Sequence, residues 1–193
     1  MRTNSNAVTL IELLVALILL GVIVLGLSSL DIFSRFHVIS ADRRAKIQNE
    51  VSLAIEHMTK ELADATGNEV AQGTDAVIVT NATQLSFNVD TNQDGIADLW
   101  RAYRRDAASS QIWYCPACSD PVNPYLCSSC TPAWGSQNNT VANNIVSFSA
   151  TESGSSFITV NIGARWNPST AESSDNPVVN MSANLFMPSV STN

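Results

Sequence analysis

Four cysteines fall in one stretch, Cys115-Pro-Ala-Cys118 and Cys127-Ser-Ser-Cys130, with eight residues between the two pairs. A Cys-x-x-Cys knuckle can turn two thiolates toward one metal, so two knuckles on a short spacer suit a tetrahedral zinc site. The same four sulfurs can instead close two disulfides around a Pro-rich loop. A redox role is disfavoured, because a reactive thiolate wants a helix N-terminus beside it and these knuckles lie in an Asn/Pro/Ser loop. A second constellation is the segment DTNQDGIAD at residues 90–98. Asp90, Asn92 and Asp94 carry oxygens at alternate places, Gly95 stands sixth, Ile96 offers a backbone carbonyl at the seventh and Asp98 a carboxylate at the ninth. That is the opening of an EF-hand calcium loop. The twelfth place holds Arg101, where a bidentate Glu is required. A full EF-hand is thereby excluded, leaving either a polar Asp-Gly hairpin turn or a weak, partly solvated calcium site.

Glu12 draws attention by its surroundings. Residues 8–27 read VTLIELLVALILLGVIVLGL, and only Thr9 and Glu12 are neither apolar nor Gly. A helix of about 20 such residues spans about 30 Å, the thickness of a bilayer hydrocarbon core. A carboxylate inside that layer costs about 3 kcal/mol on translocon-derived scales and marks a partner. A free α-amine on a neighbouring helix, shifted a few residues along a bundle, would supply the positive charge in low dielectric. Glu12 would then set the register between packed copies. A secretory signal peptide fits less well: the residues after the apolar run continue in a helix-compatible pattern, although Ser28 and Ser29 could imitate a cleavage site.

The run AVTLIELLVA at residues 7–16 closely resembles the cleavage and methylation motif of type IV pilins and type II secretion pseudopilins. The resemblance implies that a prepilin peptidase removes the leader MRTNSNA by cutting between Ala7 and Val8, and that Val8 is then N-methylated with Glu12 fifth in the mature chain. Ala7 stands where the family usually has Gly, and Val8 where it usually has Phe. Ser29 occupies a place at which major pilins often carry proline, which suits the continuous helix of a minor pilin or pseudopilin. The implied function is a non-enzymatic structural subunit of a type IV pilus or type II secretion pseudopilus. Its implied partners are other pilin or pseudopilin subunits, the prepilin peptidase, the inner-membrane assembly platform and the membrane itself. The implied location is the bacterial inner membrane, with a periplasmic or extracellular headpiece, a compartment that tilts the four cysteines toward disulfides while leaving zinc open. Two other classes stay in view: a membrane-anchored binding or redox module built on the Cys loop, and a DNA-uptake pseudopilin.

These groups need elements to hold them. The chain has 193 residues, 45% apolar and 14% charged, with a formal net charge of −7. That balance excludes a disordered acidic tail, and the acidity disfavours a nucleic-acid partner unless Arg101, Arg104 and Arg105 form a local patch. Ile47, Val51, Ala54, Ile55, Met58, Leu62 and Ala65 recur at three- and four-residue spacing. They predict an amphipathic helix that continues the apolar one to Thr66, with Gly67 as its C-cap. Asp42, Arg43, Arg44 and Lys46 read as a solvated helix face, with intersubunit pairing as the sharper alternative, and His37 and His57 as structural or surface residues. Beyond Gly67, residues 76–80, 84–89, 99–103, 111–114, 144–148, 156–162 and 178–187 are β-rich or alternating, with turn residues between them.

Together these patterns predict an α+β fold, a long N-terminal helix packed on a meandering antiparallel sheet. The expected organisation is a leader at 1–7, a membrane and assembly helix at 8–30, an amphipathic helix at 31–66 and a headpiece at 67–193 with the Cys loop at 113–134. Pro124, Tyr125 and Trp134 would be exposed on that loop and make it a contact candidate. The sequence holds no Gly-rich phosphate loop, no G-x-S-x-G and no H-E-x-x-H, so no hydrolase or transferase constellation is legible.

Overall fold

The apolar and amphipathic periodicities join into one helix, α1 (Leu10–Leu62), in a computed structural model that describes residues 9–68, 77–80, 83–92, 97–119, 126–136, 139–152, 157–187 and 190–191. The chain divides into two units, residues 1–42 and 43–193. From Leu13 to Leu27 α1 is apolar on every side: Leu13, Leu17, Ile18, Leu20 and Ile23 are all more than half exposed. The helix is long and apolar enough to cross a membrane. Ser28 and Ser29 donate their hydroxyls to the carbonyls of Val24 and Leu25 at 2.8 and 2.9 Å, so neither needs water. Arg35 and Asp31 pair at 3.0 Å one turn apart, both well exposed, and contribute little.

In the second unit the helix stripe meets the strands. Ile47, Val51, Ala54, Met58 and Leu62 are buried at successive three- and four-residue steps. Burial of a large apolar side chain stabilises by about 1.5–3 kcal/mol. The helix ends at Leu62, four residues before the expected Thr66. Asp64 and Ala65 donate their N–H groups to the carbonyls of Glu61 and Leu62, which tightens the last turn, and Thr66 N–H then donates to Asn88 O at 2.8 Å. Gly67 is not a C-cap. It opens β1 (Gly67–Asn68), which pairs in parallel with β10 (Val190–Ser191).

Between them lie β2 (Val77–Thr80), β3 (Gln84–Val89), β4 (Leu99–Asp106), β5 (Gln111–Cys115), β6 (Thr140–Ala142), β7 (Ile145–Glu152), β8 (Phe157–Arg165) and β9 (Val178–Phe186). The fold is α+β, and the expected single meander is two antiparallel sheets, β2-β3-β4-β5-β6 and β7-β8-β9. The break falls at Asn143-Asn144, where Asn144 takes φ 63°, a left-handed conformation that asparagine tolerates. Glu50 on the helix accepts from Asn143 N–H at 2.6 Å and holds this turn. Both sheets feed one core: Leu85, Phe87, Tyr103 and Ile112 from the first, and Phe148, Ile158, Val160 and Leu185 from the second, pack with the helix stripe.

Strand β3 is buried along its whole length, on both faces. One face meets the helix. The other carries Gln84, Ser86 and Asn88, and the Cys loop lies against it: Gln84 donates its amide to Leu126 O at 2.7 Å.

Candidate functional site

At the head of α1, Thr9 and Glu12 face each other across the first turn. The Glu12 carboxylate accepts from Thr9 N–H and from Thr9 Oγ1–H, both at 2.8 Å, while Glu12 N–H lies 3.4 Å from Thr9 Oγ1. This is a capping box, in which the two residues satisfy each other's orphan donors. Ala7 and Val8 lie outside the described residues.

The cysteines follow from the register of β4 and β5. Ala102 stands opposite Cys115, and Cys118 N–H donates to Trp100 O at 2.8 Å, which lays the first knuckle along β4. Ser119 N–H then donates to Ser129 O and Thr131 N–H to Ala117 O, both at 3.0 Å, so the second knuckle runs antiparallel beside the first. That alignment brings the sulfurs together as two nested disulfides, Cys115–Cys130 and Cys118–Cys127, with Cα separations of 5.7 and 4.8 Å. No described cysteine is free. With each sulfur bound to another, none is left as a thiolate for a metal, which argues against zinc. Cys115 and Cys127 are wholly buried with Ala102, and Trp134 packs against them as a second, smaller core.

Trp134 is half-buried, contrary to the expectation that it projects as a contact. Its indole N–H donates to Cys127 O at 3.1 Å. The Arg104 guanidinium sits 4.3 Å from its ring centre and 5.7 Å from that of Trp113, and partial burial lowers the guanidinium pKa. Gly135, at φ 77°, lets the chain pass under Trp113, where a Cβ would come within 3.0 Å of the ring. Pro124 and Tyr125 lie outside the described residues.

In the 90–98 loop, the Asp98 carboxylate accepts from Thr91 N–H at 3.1 Å and from Thr91 Oγ1–H at 2.8 Å. Asp98 N–H donates to Val89 O at 3.0 Å, closing the β3–β4 hairpin. Asp98 therefore serves the turn itself; Asp90 and Asn92 are described, while Asp94 and Ile96 lie outside the described residues. Arg101, at the place of the missing bidentate Glu, turns away to the helix.

There it joins a cluster that the sequence reading missed. Arg101 Nη1 pairs with Glu61 Oε2 at 2.7 Å, and Tyr114 OH donates to the same oxygen. His57 Nδ1 and Tyr103 OH share a hydrogen bond of 2.8 Å, and the three rings of His57, Tyr103 and Tyr114 pack edge-on or tilted within 6 Å centre to centre. Burial raises the phenol pKa of both tyrosines, and burial lowers that of His57. The two phenols and the imidazole bridge the helix to β4 and β5 around one partly buried ion pair. The only signal available beforehand was that Glu61 adjoins the helix stripe.

Residues 2–28 match the prokaryotic N-terminal methylation motif. No curated protein and no solved structure matches the chain. With that motif at the head of a long apolar helix and an α+β body of antiparallel sheets behind it, the chain fits the type IV pilin and pseudopilin superfamily.

Proposed function

We propose that the chain is a structural filament subunit, a minor pilin or pseudopilin of a type IV pilus or type II secretion pseudopilus. The observation that carries this reading is the methylation motif at the start of a helix whose first part, residues 10–27, has no polar face. In this scheme the prepilin peptidase cuts between Ala7 and Val8, the new amine of Val8 is methylated, and the helix waits in the inner membrane with the headpiece in the periplasm. Subunits then bundle through their apolar helices, and Glu12 meets the ammonium of an adjacent copy, which fixes the register. Leaving the bilayer exchanges lipid contacts for helix packing, so this step needs little net work.

Two observations weigh against the other classes. A redox module wants a helix N-terminus beside its attacking sulfur, whereas Cys115 ends strand β5 and Cys118 N–H is bonded to Trp100 O on β4. A DNA-uptake patch needs its arginines on one surface, and alternation along β4 sends Arg104 to the face opposite Arg101 and Arg105. N-terminal mass spectrometry of the protein from cells containing the peptidase tests the proposal. Loss of the seven-residue leader with one methyl group on Val8 is expected; an intact Met1, or a cut near Ser29, overturns it.

A further inference from the structure

We propose that the outer face of the β7-β8-β9 sheet is a binding site for a linear, neutral oligosaccharide. The face is built in cross-strand rows. Ser147, Gly163 and Asn180 stand side by side in the first, and the next two, centred on Asn161 and Thr159, hold only Ser, Thr and Asn. The chain has 17 acidic and 10 basic residues, yet these three rows have none. The rows thus offer only hydroxyl and amide groups around the central glycine.

Gly163 shows that the face is shaped as well as neutral. A Cβ there would lie 2.3 Å from Ser147 Oγ and 2.7 Å from Asn180 Oδ1. The two side chains therefore lean in over the glycine, and their oxygens converge above it. The hollow they border has a volume of about 230 Å³ and is also lined by Asn161 and Ser182. At the other end of the sheet Phe157 and Phe186 form a pair with ring centres 5.1 Å apart, 45% and 52% exposed, although their neighbours Ile158 and Leu185 are buried. Six residues of strand place this pair about 20 Å from Gly163.

A sugar chain answers each of these features. Its ring C–H face stacks on an exposed phenyl. Its hydroxyls need donors and acceptors in alternation, and primary amides and hydroxyls supply both. With no charge on either side, no ion is desolvated on contact. The length from hollow to phenyl pair takes several sugars in line. An anionic ligand would find no cation in these rows.

The test uses the full chain in phosphatidylcholine nanodiscs, titrated calorimetrically with cellohexaose, chitohexaose and maltohexaose. At least one should bind saturably with a Kd below about 1 mM, and raising the salt should leave that Kd unchanged. Asn180→Asp, which removes the amide donor and adds a charge, and Phe186→Ala should each weaken binding about tenfold or more. Both positions are exposed, so the circular-dichroism melt should stay at the wild-type midpoint. The proposal is overturned if none of the three sugars binds saturably, or if binding survives both substitutions. It is also overturned if the wild-type chain self-associates through this face and Ser182→Arg abolishes that association, which would assign the face to a second copy.

Discussion

Opening the two disulfides should cost the headpiece about a third or more of its stability, and the nesting of the bonds determines how the loss divides. Cys118–Cys127 closes a separation of nine residues and Cys115–Cys130 one of fifteen. On chain entropy alone, the inner bond removes about 2.7 kcal/mol of denatured-state freedom. Once it is closed, the outer bond need only draw together two short arms, 115–118 and 127–130, which adds about 2.5 kcal/mol. Together they give about 5 kcal/mol, against a usual total of 5–15 kcal/mol for a folded domain. The outer bond alone closes a larger ring worth about 3 kcal/mol, so Cys118→Ala with Cys127→Ala should lose about 2 kcal/mol. For a unit of this size that corresponds to a fall in Tm of about 4–8 °C. Urea unfolding of the full chain in micelles, followed by indole fluorescence from Trp113 and Trp134, measures both losses. If a chelator destabilised the protein while a reductant did not, the sulfurs would be holding a metal. If neither agent changed the unfolding free energy by more than about 1 kcal/mol, the loop would be held by its hydrogen bonds and the entropy argument would fail.

The remaining expectations concern the polar cluster and the loop. Glu61→Leu strands the Arg101 charge and the Tyr114 hydroxyl and should cost about 3 kcal/mol, whereas Glu61→Gln keeps an acceptor and should cost about 1 kcal/mol; equal shifts in urea midpoint for the two would contradict the ion-pair account. Burial lowers the His57 pKa, so on acidification the unfolded chain takes up this proton first: stability should be full above about pH 6.5 and decline below it, and His57→Gln should flatten that slope in thermal melts. A slope identical in the variant would place the effect elsewhere. Gly135→Ala forces a Cβ into a left-handed position against the Trp113 ring and should destabilise by about 1–2 kcal/mol, read as a lower melting midpoint; an unchanged midpoint would mean that the ring yields freely.

What the sequence made legible is what is local. The helix stripe from Ile47 to Leu62 could be read because burial on one side imposes a 3.6-residue period, and five of its six residues are wholly or almost wholly buried. The strand cores of β3, β5 and β8 were visible for the same reason, as alternation or β-branched runs. The end of the helix was not, because nothing in Ala63 to Thr66 stops a helix; Thr66 leaves it for a carbonyl on β3, and only the fold brings that carbonyl near. Glu61 could not be given partners from the sequence, since Arg101 and Tyr114 lie 40 and 53 residues away. The cysteine spacing announced a linked loop, but four cysteines allow three pairings, and the choice depends on the antiparallel run of the two knuckles. Trp134 was read as exposed because an Asn/Pro/Ser loop does not announce that Arg104 will stack on its ring.

The same distinction bears on Glu12, which the apolar run singles out but whose intrachain bonds appear only in three dimensions. An unpartnered carboxylate at the edge of hydrocarbon is costly, and a pilin subunit must spend time in the membrane before any neighbour arrives. Thr9 supplies two donors during that interval, and an N-terminal cap of this kind is worth about 1 kcal/mol. Both bonds end on Oε2, and the second oxygen of a carboxylate can accept in addition. The cap and the proposed intersubunit ammonium therefore do not compete for the same lone pairs. A carboxylate already fixed by Thr9 loses less freedom when an ammonium docks than one on a free side chain, so the capping box would lower the cost of the proposed register-setting pair.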